Sequence, residues 1–141
     1  MNLFAMGFRK CDLKGCGHFG ASRGSRRHAG VDMACTPYTE VGSPVRGVVT
    51  KLGWPYRGRP EIRYVEVNAG DYFFRVFYVD PAVKAGDMVE LNGVLGTSQA
   101  LGNLYPGITE HVHFEIKDKD GEYVDPTPVI LALRGTLKVD L

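Results

Sequence analysis

His111-Val112-His113-Phe114-Glu115-Ile116 alternates polar and apolar side chains strictly, the pattern of a β-strand whose successive residues point to opposite faces. Val112, Phe114 and Ile116 then form one apolar face, and His111, His113 and Glu115 share the other. A strand face carrying two imidazoles and a carboxylate suits the wall of a metal site or a general-base pair. The plainer reading is two histidines on a wetted strand. A partner elsewhere in the chain separates the two.

That partner is His28-Ala29-Gly30-Val31-Asp32. Gly30, Val31 and the nearby Pro37 argue against a helix and for an extended segment. His28 and Asp32 offer one nitrogen and one oxygen. Adding one histidine of the downstream pair makes three protein ligands, the number typical of catalytic zinc with its fourth position open. The chain holds four histidines, and three of them fall in these two short clusters, which favours a shared site.

An HxGxD motif followed far downstream by HxH resembles the signature of the M23 (lysostaphin/LytM-type) zinc metallopeptidases. The resemblance covers about residues 11–130 and takes in Arg23-Gly24-Ser25-Arg26, Gly42-Ser43-Pro44-Val45, Val83-Lys84-Ala85-Gly86-Asp87 and Tyr123-Val124-Asp125-Pro126. The CDLKGC, HAGVDMAC and YPGITEHVHFE blocks are similar to the branch containing leukocyte cell-derived chemotaxin 2, which binds metal but is not generally regarded as a working peptidase. The resemblance implies a LytM-type fold of two antiparallel layers or a split barrel, with zinc as cofactor. It implies His28, Asp32 and His113 as ligands, His111 as catalytic acid or base, and a disulfide between Cys11 and Cys16. It also implies a further histidine in a YxH segment, where Phe77-Tyr78-Val79-Asp80 places Asp80 instead. An ionised aspartate can accept a proton but does not donate one at neutral pH.

A chain of 141 residues matches one domain, 1–141, long enough to bury a core. A net charge of +1 gives no general field for nucleic acid, and no apolar run is long enough to span a bilayer. Residues 1–8 are apolar but short, lack a basic start and precede Arg9-Lys10, so no signal peptide is expected. The chain is therefore expected in the cytoplasm until lysis releases it or a phage particle carries it. Cysteines stand at 11, 16 and 35. A reduced Cys11 and Cys16 would suit a cytoplasmic chain. Cys35 is expected to be a free, buried thiol.

Eighteen glycines and eight prolines punctuate short β-prone runs, and no amphipathic pattern of helix length appears, so the fold class is all-β with little helix. Strands are expected over 45–52, over 62–67 and 72–79 around an Asn68-Ala69-Gly70-Asp71 hairpin, and over 88–95. In the 72–79 strand, Tyr72, Phe74, Val76 and Tyr78 should share one face. One short helix is expected over 126–133, and 134–141 extends beyond the resemblance. Residues 15–30 read as a loop. Its Arg23 and Arg26 are either solvated or receive a substrate carboxylate in bidentate fashion. His18, in the same loop, reads as a surface residue. Tyr105 sits in a glycine-containing loop beside the HxH strand, a usual place for specificity.

The family resemblance implies a zinc-dependent endopeptidase, a hydrolase of peptidoglycan peptides in cell-wall degradation, endolysin-like in layout. The alternative is a catalytically weak or inactive zinc-stabilised binding module of chemotaxin type. His111 leads as general base; Asp80 can accept a proton, and Glu115 serves either as base or as acceptor from a ligand imidazole.

Overall fold

The computed structural model describes residues 2–139. Its strands are β1 (Gly7–Phe8), β2 (Ser22–Arg23), β3 (Arg26–Arg27), β4 (Val31–Ala34), β5 (Glu40–Gly42), β6 (Gly47–Gly53), β7 (Tyr64–Ala69), β8 (Tyr72–Phe77), β9 (Val79–Pro81), β10 (Met88–Val89), β11 (Val94–Ser98), β12 (His111–Lys117) and β13 (Tyr123–Val124). A 3-10 turn at Leu3–Ala5 precedes them and a helix, α1 (Thr127–Val139), follows. The main sheet has the order β1-β4-β12-β8-β7-β6-β10, with β13 also paired to β12. A second sheet, β5-β11-β9, and the β2–β3 ribbon complete the strands, and every pairing is antiparallel.

Strand β12 lies inside the main sheet, flanked by β4 and β8. Its apolar residues Val112, Phe114 and Ile116 join Val31 and Met33 of β4 and Val76 of β8 in one buried cluster. That cluster also takes Val41 and Leu95 from the second sheet and Ile130 from the helix. Each fully buried side chain of this size contributes about 1.5–3 kcal/mol relative to exposure. The opposite face of β12 is buried too, although it is polar: His111, His113 and Glu115 are each at least nine-tenths covered.

The β7–β8 hairpin forms where the sequence places it, with Ala69 opposite Tyr72 and Gly70 at φ 59 in the two-residue turn. Other expectations change, among them the 72–79 strand, which ends at Phe77. The 88–95 run is split into β10 and β11, because Asn92 turns with φ 64 and its amide donates to the Ser43 carbonyl at 2.8 Å. The 15–30 loop folds back on itself as the β2–β3 ribbon. The helix starts at Thr127 after Pro126 and runs to Val139, well past 133. Arg134 ties it to the N-terminal turn through the Phe4 and Met6 carbonyls. Of the 134–141 extension, Asp140 and Leu141 lie outside the described residues.

Candidate metal centre and groove

Antiparallel pairing of β4 with β12 sets Asp32 directly opposite His113. The approach to β4 is so close that a Cβ on Gly30 would collide with the Phe114 carbonyl oxygen, so the glycine of the HAGVD segment is required by backbone packing. His28 enters from the end of the β2–β3 ribbon, held by its amide bond to the Ala21 carbonyl at 2.8 Å. Its Nε2 stands 2.9 Å from His113 Nδ1 and 3.1 Å from Asp32 Oδ1, and His113 Nδ1 stands 3.0 Å from the same oxygen. These three atoms make a nearly equilateral triangle. A tetrahedral zinc with ligand distances of about 2.0–2.1 Å has ligand–ligand edges of about 3.3 Å, close to what the side chains already present.

The outer hydrogen bonds determine what converges there. His28 Nδ1 lies 2.9 Å from the His18 carbonyl, which can only accept, so Nδ1 carries the proton and Nε2 keeps its lone pair. His113 Nε2 lies 2.9 Å from Glu115 Oε1, which assigns its proton to Nε2 and its lone pair to Nδ1. Two imidazole lone pairs and a carboxylate oxygen thus face one another. Such a triangle demands a positive charge, a cation or an extra proton. When an extra proton fills that role, burial opposes ionisation of Asp32, but the hydrogen bonds this proton makes possible between the imidazoles of His113 and His28 and the carboxylate outweigh it and hold the carboxyl well below the usual carboxylate range. Burial likewise disfavours charge on His113, yet the Asp32 and Glu115 bonds win and raise it. The donor set and its spacing fit zinc.

Arg9, which the sequence reading passed over, governs the other oxygen of Asp32. Its Nη1 donates to Asp32 Oδ2 at 2.8 Å, and its Nε and Nη2 grip both oxygens of Asp12 at 2.8 Å. Burial works against the Arg9 charge, and the two aspartates more than compensate. Asp12 in turn accepts from the Thr109 amide at 2.8 Å, tying the Cys11–Cys16 loop to the residue before Glu110 and His111. Nothing in its neighbourhood in the chain marks Arg9 out; only the fold brings it to Asp32. Cys11 and Cys16 are joined by a disulfide, and Cys35 is free and half-buried.

His111 belongs to the same buried cluster. Its Nδ1 donates to the Thr109 carbonyl at 2.6 Å, leaving the Nε2 lone pair 3.4 Å from Asp32 Oδ2. Burial lowers its pKa, partly offset by Asp32. Glu115 does not open onto this cluster as a base would. It sits on the His113 nitrogen turned away from Asp32, and its Oε2, without a hydrogen bond, lies 3.9 Å from Arg75 Nη1.

A groove of about 720 Å³ runs over these residues, lined also by Lys14, Arg26, Trp54, Tyr56, Tyr78 and Tyr105. Arg23 lines it as well, but spends donors on the Cys16 carbonyl at 2.7 Å and the Ser22 carbonyl at 3.1 Å. Arg26 is exposed at the rim, and Tyr105 is half-buried. The His18 side chain is exposed; only its carbonyl reaches the site.

Asp80 is not placed where the motif puts the missing histidine. It is exposed in β9, pairs with Thr97 of the second sheet, and lines a separate pocket of about 220 Å³ with Glu61 and Gln99. The chain turns just before it at Tyr78, at φ 71 between β8 and β9. This left-handed residue breaks the alternation, so Phe77 and Tyr78 both face the groove, Val79 enters the core and Asp80 points out. Tyr78 therefore leaves the face it was expected to share with Phe74 and Val76 and meets the His111 ring in a T-shaped contact, centroids 5.3 Å apart, with its hydroxyl 2.6 Å from that of Tyr56.

Residues 26–126 match the family model described as Peptidase family M23. The chain is 34% identical over 120 residues to leukocyte cell-derived chemotaxin-2 of Mus musculus, spanning 84% of this chain and 76% of that protein. Among solved structures, the catalytic domain of the antimicrobial peptidase lysostaphin from Staphylococcus simulans aligns with a TM-score of 0.63 at 23% identity, over 84% of this chain and 90% of that one. The catalytic domain of a point mutant of the prophage-encoded M23 protein EnpA from Enterococcus faecalis gives 0.62 at 21% identity, over 88% and 95%. These two likenesses speak for the fold, while the family model spans both motifs that supply the candidate metal ligands. The chain belongs to peptidase family M23.

Proposed function

We propose that this chain is a zinc-dependent endopeptidase domain acting on the peptide bonds of bacterial peptidoglycan. The observation that carries the reading is the triangle of acceptors from His28, Asp32 and His113, with a further imidazole at its edge, at the floor of an open groove. Zinc, when bound, supplies Lewis-acid activation of the peptide carbonyl and of the attacking water. His28, Asp32 and His113 hold it, and Glu115 and the His18 carbonyl fix the two ring orientations. His111 takes the proton of the attacking water on Nε2 and returns it to the leaving amine; the Thr109 carbonyl keeps that nitrogen free. Arg26 and Lys14, exposed at the rim, offer positive charge to carboxylates of a stem peptide. Arg23 adds charge nearby but has fewer free donors. Tyr105 borders the path of an extended peptide.

The place of action in this reading is the cell wall, reached after lysis or from a phage particle, and the core shared by both sheets supports treating the chain as one M23-like domain. A second reading, a zinc-stabilised binding module, is favoured by Asp80 lying outside the groove and by the likeness to chemotaxin-2. The test is clearing of purified peptidoglycan by zinc-loaded protein, with and without chelator, beside His111→Ala. Zinc-dependent clearing lost in His111→Ala supports the peptidase. Stoichiometric zinc with peptidoglycan binding but no new amine termini supports the module.

A further inference from the structure

We infer that the Tyr56–Tyr78 hydroxyl pair is the hydrogen-bond donor this groove presents to the carbonyl oxygen of a bound peptide, where the motif calls for a second histidine. The inference rests on the peptidase reading above.

The first observation is backbone strain. Tyr78 is an aromatic residue at φ 71, a region that costs a side-chain-bearing residue about 1–3 kcal/mol and that clusters at functional sites. It is held there by its amide, which donates to the Arg63 carbonyl at 2.8 Å, and by its carbonyl, which accepts from the Gln99 amide at 2.8 Å. The conformation is what turns the ring out of the core and against His111.

The second is a count of protons. Two phenols 2.6 Å apart hold two hydroxyl hydrogens, and the bond between them uses one. Among the described residues, neither hydroxyl makes another hydrogen bond. One O–H is therefore left to give to whatever oxygen enters the groove both rings line. Burial pushes both phenols above their ordinary pKa, with the Asp32 charge adding to it, so both stay protonated near neutral pH. A donor fixed in advance beside His111 stabilises the negative oxygen of a tetrahedral intermediate by hydrogen bonding, with no proton transferred. The Tyr78 and His111 rings meet in a T-shaped contact with centroids 5.3 Å apart, so the pair and the base share one side of the groove.

The experiment compares zinc-loaded wild type, Tyr78→Phe, Tyr56→Phe and the double variant, which keep both rings and their packing. Two quantities are measured: turnover of a purified muropeptide, and dissociation constants for a peptide and for its phosphinic analogue, in which a tetrahedral P–O⁻ replaces the scissile carbonyl. In the double variant kcat should fall about a hundred- to a thousandfold with little change in KM. Phosphinate affinity should fall by a similar factor while parent-peptide affinity holds. Unchanged phosphinate affinity in the double variant overturns the inference, whatever the turnover. Tyrosine-dependent phosphinate binding without wild-type turnover keeps the donor and removes the peptidase reading. Wild type that binds neither ligand removes both.

Discussion

Replacing Glu115 by alanine should weaken zinc binding about 10- to 100-fold while leaving the three ligands in place. The carboxylate accepts from His113 Nε2 at 2.9 Å in a site where His113 and Glu115 are both nine-tenths buried or more. A buried hydrogen bond to a charged group contributes about 1.5–3 kcal/mol, and about 1.4 kcal/mol is a factor of ten, so the bond alone predicts a loss of roughly one to two decades. Two structural effects follow from the same change. The His113 tautomer is no longer imposed, so the Nδ1 lone pair is lost part of the time. Removal of the unbonded Oε2 relieves a small cost, which leaves the stability of the metal-free protein less affected than its zinc affinity. Glu115→Gln keeps an acceptor for His113 but sets an amide near Arg75 Nη1, and should fall between wild type and Glu115→Ala. The assay is zinc competition against a chromophoric chelator at fixed pH, with circular dichroism as the folding check. Zinc affinity within twofold of wild type in a folded Glu115→Ala protein would refute the argument that this carboxylate supports the ligand.

Gly30→Ala should destabilise the protein by more than the ~1 kcal/mol scale of ordinary substitutions, because its Cβ meets backbone of β12; a denaturant midpoint equal to wild type would count against the close β4–β12 approach. The Arg9 hydrogen bonds, with lesser help from the Thr109 and Lys14 amides, hold Asp12 below the usual carboxylate range against the cost of its burial. Its stabilisation is therefore present above about pH 4 and lost as pH falls below that. Asp12→Asn should cost on the order of 1 kcal/mol at pH 7 and flatten that part of the acid limb, as urea melts from about pH 2 to 7 can measure. Thiol titration under denaturing, non-reducing conditions should find one reactive cysteine, Cys35, and three would contradict the Cys11–Cys16 bridge. Asp80→His should leave turnover within a fewfold of wild type, since position 80 faces away from the groove; a large gain in muropeptide turnover would contradict that placement.

The parts of the site that were legible are those in which chain spacing survives folding. Strict alternation in 111–116 gave the two faces of β12, and the structure keeps His111, His113 and Glu115 together on one of them. His28 and Asp32 lie four residues apart and reach one point because the segment between them is extended and passes close over β12. Arg9 was not legible for the opposite reason. A buried arginine looks like any surface arginine in a sequence, and although Asp12 stands three residues on, the partner that ties Arg9 to the site, Asp32, stands twenty-three residues away. Leu3, Phe4 and Met6 likewise fall outside the family likeness, yet they are buried in the core and bring the N-terminal turn against α1.

Tyr78 shows a subtler failure, one of phase. Motif comparison carries residue types along a strand on the premise that every second residue faces the same way, and a shift of one position exchanges the faces. A single left-handed residue between β8 and β9 makes that exchange here, and it coincides with the passage of the chain from the main sheet to the second sheet. A sheet change needs a bend, and the bend could have fallen on a glycine; the chain instead uses an aromatic residue that bears the strain. The side chain delivered by that strain is a phenol beside His111, while the one withdrawn is Val79, which unbroken alternation from Phe77 would have set on the groove face. The strained turn therefore exchanges an apolar side chain for a neutral donor, an arrangement that Val79 in the core and Gln99 on the Tyr78 carbonyl hold in place.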